Sequence, residues 1–165
     1  MLLSADKFIG RIGYMRVEYI NPFVESAVSV LREVLGSDVS RGQISLGSKI
    51  SVLHDVAVIV GLVGQVEGRV VLDLDKTTAL KIVSVMNGEE MTEFDEMTNA
   101  TLTELGNMIS GRAVTRLAEL GYKFDVTPPA IFVGSSTVSD TIESLIVPIV
   151  TEFGAFKINV ALRER

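Results

Sequence analysis

Val56-Ala-Val-Ile-Val-Gly-Leu-Val-Gly64-Gln-Val66-Glu-Gly-Arg-Val-Val-Leu-Asp-Leu74-Asp75 is the stretch that decides the architecture. Val and Ile dominate it, and a β-branched side chain fits a pleated surface better than it fits a helix. Gly61, Gly64 and Gly68 break the run, so residues 43 to 74 read as three strands joined by short turns, with Gln65 to Gly68 supplying one of them. Asp75 follows directly and is a good N-cap, since its carboxylate can accept the first free helical N–H groups. The spacing of Thr78, Leu80, Ile82 and Val83 predicts a helix that ends at Asn87-Gly88.

Working outward, Phe23, Val24, Ala27, Val30, Leu31 and Val34 recur at helical spacing from Asn21 to Leu35, and Gly36 stops the run. On the other side, Thr92 with Asp95 three residues on opens a longer helix to about Leu120, with Gly121 after its end. Thr127-Pro128-Pro129 prevents regular ladder bonding and suits a strand edge. Strands are expected near 130–133, 141–150 and 155–162. The order is helix, three strands, helix, then helix and three strands, a weak internal duplication. It predicts an α+β fold of two pseudo-symmetric halves, with helices packed on one face of a largely antiparallel sheet. Residues 21–165 are read as a single domain and residues 1–20 as an N-terminal extension, with Met15 an alternative start.

Composition narrows the chemistry. The 165 residues are 47% hydrophobic and 22% charged, within the range of a compact folded protein. Lys and Arg number 15 against 21 Asp and Glu, a formal net charge of −6, whereas a nucleic-acid binder needs clustered positive charge. The chain has no Cys, which removes disulfides and thiolate metal sites. No apolar stretch approaches the roughly 18–20 residues of a membrane span, and the first 20 residues lack the unbroken apolar core of a secretory signal. A cytoplasmic location without membrane or nucleic-acid partners is expected.

The long second-half helix carries the candidate chemistry. At about 100° per residue, Glu104 and Asn107 lie roughly 60° apart, one turn from each other. Ala100 and Gly111 fall in the same wedge. Phe94, Leu102, Leu105, Ile109, Leu117 and Leu120 centre on the opposite side as the expected core stripe. A carboxylate and an amide flanked by two very small residues would let a partner surface approach the helix backbone. The plainer reading makes Glu104 and Asn107 ordinary solvated residues and has Gly111 receive a neighbouring element.

The run Glu104-Leu-Gly-Asn107-Met, followed by Gly111 and by Thr127-Pro128-Pro129, resembles the active-site signature of the CheC/CheX chemotaxis phosphatases. Val66-Glu-Gly-Arg-Val-Val-Leu and Thr78-Ala-Leu-Lys-Ile-Val-Ser-Val-Met86 are also similar to that family, and the likeness runs from Asn21 to the C-terminus. The family places Ser or Asp four residues before the Glu, where this chain has Ala100. Some members carry a second pair on the first helix, but here Glu25 is followed three residues later by Val28, so one site is expected.

The resemblance implies hydrolysis of the aspartyl phosphate on a phosphorylated CheY-like response regulator. Asn107 would orient the attacking water, Glu104 would pair with the receiver's lysine, and Ala100, Gly111 and Pro128 would meet the partner. The chain would need no cofactor of its own, Mg2+ being held by the receiver, and a homodimer is implied. The alternative is a non-catalytic binding module of the same fold, like the related flagellar switch proteins. His54, the only His, is read as structural. Ser110 is read as helix surface. Met86, Met91, Met97 and Met108 are read as core packing.

Overall fold

A computed structural model describes residues 17–53, 55–139 and 143–164; His54 lies outside the described residues. The chain runs α1 (Val17–Leu35), β1 (Val39–Arg41), β2 (Ser45–Leu46), β3 (Ile50–Leu53), β4 (Val56–Gly64) and β5 (Val66–Leu74). It continues through α2 (Lys76–Asn87), α3 (Glu96–Glu119), β6 (Phe124–Val126), β7 (Ala130–Val133), β8 (Ser136–Ser139), β9 (Leu145–Thr151) and β10 (Gly154–Glu164).

The main sheet has eight strands along the path β1-β9-β10-β5-β4-β6, with β2 also on β9 and β7 also on β4. All of its pairings are antiparallel. The hairpins β4–β5 and β9–β10 meet along β5 and β10, where Val70 faces Val160. Each half places its first strands on the other half's hairpin: β1 and β2 on β9, β6 and β7 on β4. The pseudo-symmetry expected from the element order is therefore an exchange of strands, and β3 pairs with β8 in the same sense.

Helices cover one face of the sheet. Tyr19, Ile20, Phe23, Val24, Ala27, Val30 and Leu31 are all at most 1% exposed, the i, i+3, i+4 stripe that drives α1 onto the core. α1 begins before Asn21, so residues 17–20 belong to a helix whose Tyr19 hydroxyl donates to Glu164 at 2.9 Å. Opposite the stripe, Val56, Val58, Val60 and Leu62 alternate inward along β4, and Leu145, Val147 and Ile149 do so along β9. On the other face, Leu53 of β3 and Val138 of β8 cover Ala57 and Val71.

Several expectations shift in detail. The turn of the first hairpin falls at Gly64-Gln65, not across Gln65 to Gly68. Gly68 is inside β5 because its backbone, at φ 134°, runs against the Ala161 carbonyl where a Cβ would collide. The N-cap of α3 is Asp95 rather than Thr92: Thr98 N–H donates to its carboxylate at 2.9 Å, and the Thr98 hydroxyl meets the Asp95 N–H in return. Leu120 is 55% exposed and ends the helix instead of extending its core stripe. Met86, Met91 and Met108 pack against the core as expected, whereas Met97 is exposed.

Candidate active site

Three features fix α3. Its first turn is held by the reciprocal Asp95–Thr98 cap. The hydrogen bonds from Thr98 hold the Asp95 carboxyl below its usual range. Leu102, Leu105, Ile109, Ala113 and Leu117 are buried against the sheet and α1. Gly106 lies on the sheet side, where an added Cβ would come within 3.0 Å of Val58 Cγ1 and 3.1 Å of Pro129 Cβ and Cγ. Buried Ser110, read from sequence as surface, turns its hydroxyl back to the Gly106 carbonyl at 2.8 Å.

With that side anchored, Ala100, Glu104, Asn107 and Gly111 all lie on the exposed side. Within the described residues, no other group engages the side chain of Glu104 or Asn107. An acidic group and a neutral amide with both donors and an acceptor therefore stand next to each other in water. Gly111 has no atom within 4 Å of an added Cβ, so no neighbouring element is received there; the glycine leaves the surface open. A shallow depression runs from Asn107 past Gly111 to Thr115 and Arg116.

Pro128 is exposed and lines a concavity on the sheet's other face, beside Gly61, Arg69 and Thr127. The proline against the working helix is its neighbour, Pro129. Thr127-Pro128-Pro129 separates β6 from β7, both on β4, so it does break the strand at the sheet's end.

The first helix does carry a Glu-x-x-Asn, Glu18 and Asn21, but the Tyr122 hydroxyl donates to the Glu18 carboxylate and Asn21 Oδ1 is buried, so this pair is not presented to a partner as Glu104 and Asn107 are. Glu25 is drawn into an ion pair with Arg116 at 3.3 Å, and Val28 packs against the core. Arg112, one turn past Met108, donates to Glu33 at 3.0 and 2.9 Å and to Ser29 at 2.9 Å. This brace between α1 and α3 has no local signal, because 79 residues separate the partners. Among the described residues, no group of three or more His, Asp or Glu side chains is placed to hold a metal ion, and no helix is long and apolar enough to cross a membrane.

Residues 56–150 match the family model described as "Chemotaxis phosphatase CheX". The chain is 34% identical over 121 residues to the CheY-P phosphatase CheX of Thermotoga maritima, covering 73% of this chain and 78% of that protein. The crystal structure of the CheX-CheY-BeF3-Mg+2 complex from Borrelia burgdorferi contains a chain 41% identical to this one, with a TM-score of 0.76, covering 88% of this chain and 98% of that one. A chemotaxis protein CheX from Desulfovibrio desulfuricans is 27% identical, with a TM-score of 0.79, covering 88% of this chain and 99% of that one. Overall layering, the strand path and these likenesses agree: the chain belongs to the CheX family of chemotaxis phosphatases.

Proposed function

We propose that this chain hydrolyses the aspartyl phosphate of a phosphorylated CheY-like response regulator, with Asn107 and Glu104 as the residues that enter the receiver's site. The supporting observation is their placement: one turn apart on the exposed side of a buried-faced helix, unengaged, and flanked by Ala100 and Gly111. Water adds to phosphorus, the acyl P–O bond breaks, and the receiver's aspartate regains its carboxylate as inorganic phosphate leaves. Phosphoryl transfer of this kind depends mostly on positioning and charge stabilisation.

Asn107 suits the task of aiming that water. Its carboxamide accepts from water and donates to an anionic oxygen, adding no negative charge to an anionic centre. It is too weak a base to take a proton, so its role is orientation. Glu104 pairs with the receiver's lysine and fixes the register of α3; the bond gains strength as docking excludes water. Mg2+ stays with the receiver. Ala100 and Gly111 are assigned to the contact with the partner, whereas Pro128, on the sheet's other face, falls outside it; Ala100 removes the hydroxyl or carboxyl that the family pattern would add there.

A homodimer in the cytoplasm completes the reading. Phe132 and Val133 are 48% and 56% exposed on β7 at the sheet's end, an apolar edge that a second copy would cover. Sedimentation at micromolar concentration checks this, and a monomer removes it from the proposal.

The deciding experiment charges a CheY-like receiver with a small-molecule phosphodonor and follows phosphate release with and without this chain. Acceleration at substoichiometric chain is expected. Binding without acceleration would make the chain a non-catalytic module of the same fold.

A further inference from the structure

We propose that Gly106 and Pro129 form a seat that sets how far Glu104 and Asn107 stand above the sheet, making both positioning residues for the hydrolysis. The catalytic consequence rests on the function proposed above; the seat itself rests on geometry alone.

Gly106 is adjacent to Asn107 and two residues from Glu104, and it points the opposite way, onto the sheet. A Cβ there would sit 3.0 Å from Val58 Cγ1 and 3.1 Å from both Pro129 Cβ and Cγ, tighter than ordinary van der Waals contact. α3 therefore rests its bare backbone on these two side chains at the very turn that carries the pair. Gly111, five residues on, makes the contrast: its Cβ position is empty, so the two glycines serve opposite ends.

The two supports differ in stiffness. Val58 and Gly106 itself border a very small apolar void shared with Phe23, Val60, Val70 and Leu72, so the Val58 methyl has a little room to shift. Pro129 has none. Its ring is rigid, and the backbone is fastened to β4 on both sides of it. Upstream, Thr127 N–H donates to the Gly61 carbonyl at 2.9 Å while its hydroxyl accepts from Gly61 N–H at 2.8 Å. Downstream, Ala130 pairs with Ile59. A methyl at position 106 must therefore lift or tilt the helix on the Pro129 side, and misplacement of about 1 Å at a reacting centre costs on the order of a hundredfold in rate.

The test is Gly106→Ala, read by crystallography and by kinetics. The crystal structure should show the 104–107 backbone displaced from β4 by a few tenths of an ångström, the give that contacts this tight demand. Phosphate release should fall roughly tenfold in kcat, with KM for the phosphorylated receiver changed less than threefold, at temperatures well below the melting point. A loss of fold alone would instead lower the active fraction and leave the two constants of the folded protein unchanged.

Gly106→Ala/Pro129→Gly removes both ring carbons that the new methyl meets and should return kcat to within about threefold of Pro129→Gly alone, a non-additivity expected only of residues in contact. Should the single variant fail to fold, recovery of folding in the double variant supports the seat, and failure of both overturns it. An undisplaced helix in Gly106→Ala, unchanged kcat despite displacement, or additive losses would each overturn the proposal. If the wild-type chain itself fails to discharge a receiver, the function proposed above falls, while the displacement still decides the seat.

Discussion

Glu33 and Arg112 join α1 to α3 through two parallel contacts of 3.0 and 2.9 Å, one turn beyond the surface that carries Asn107. Hydrogen bonds from the guanidinium lower the Glu33 carboxyl below its usual 4.5. A carboxyl whose folded pKa lies below its unfolded one stabilises the fold fully above the unfolded value, and loses that contribution as pH falls through the folded value. Glu33→Gln should therefore lower the melting temperature at pH 7 by a small amount, since the pair is solvent-exposed, and the difference from wild type should shrink as pH falls below the ordinary carboxyl value and through the lowered folded one. Added salt should shrink it too. Thermal melts across pH and salt measure both effects.

Asp95 makes a sharper case, because its carboxylate closes a reciprocal cap. Its pKa is also lowered, chiefly by Thr98, so the same sign applies: the contribution is complete above about pH 4 and fades in more acid solution. Asp95→Ala should lower the melting temperature by several degrees at pH 7, while Asp95→Asn, which still accepts from the Thr98 N–H, should lose less and show less pH dependence. Helical content and melting midpoint check the pair together.

Asn107→Ala removes only the water-orienting amide. Docking of a phosphorylated receiver should persist within a few-fold, and phosphate loss should slow roughly a hundredfold. Glu104→Ala should weaken both binding and rate, because it deletes the charge that sets register. Discharge by Asn107→Ala as fast as by wild type would defeat the mechanism.

Gly111 separates stability from docking. Nothing lies within 4 Å of its missing Cβ, so Gly111→Ala should stabilise the chain by about 0.5–1 kcal/mol through helix propensity alone. Gly111→Arg should remain folded and lose receiver affinity, since a long side chain then occupies the open surface beside Asn107. Denaturant melts measure the first and a binding titration the second; an unchanged affinity in Gly111→Arg would remove Gly111 from the docking surface.

Much of this was legible in the sequence, for identifiable reasons. The stripe from Phe23 to Leu31 and the Asp75 cap are local patterns that appear where expected, and the Val56–Leu74 hairpin forms with its turn moved to Gly64-Gln65. The exposed alignment of Ala100, Glu104, Asn107 and Gly111 follows from helical period once the core side is known. What escaped depends on remote neighbours. Gly68 reads as a turn residue until β10 is laid against it. Ser110 reads as surface until the sheet covers it. Gly106 carried a signal that could have been followed: glycine costs about 1 kcal/mol relative to alanine inside a helix, so its presence beside Asn107 asked for a tertiary reason. Arg112 and Glu33 carried none.

The strand exchange reaches beyond symmetry. Neither hairpin keeps an outer neighbour from its own half: β9 is flanked by β1 from the first, and β4 by β6 and β7 from the second. Melting one half would strip an edge from the other and leave its backbone groups unpaired. The two halves are thus interlocked, like clasped hands, and the chain should come apart in one step, with no half-folded species left standing to expose raw sheet edge to its neighbours.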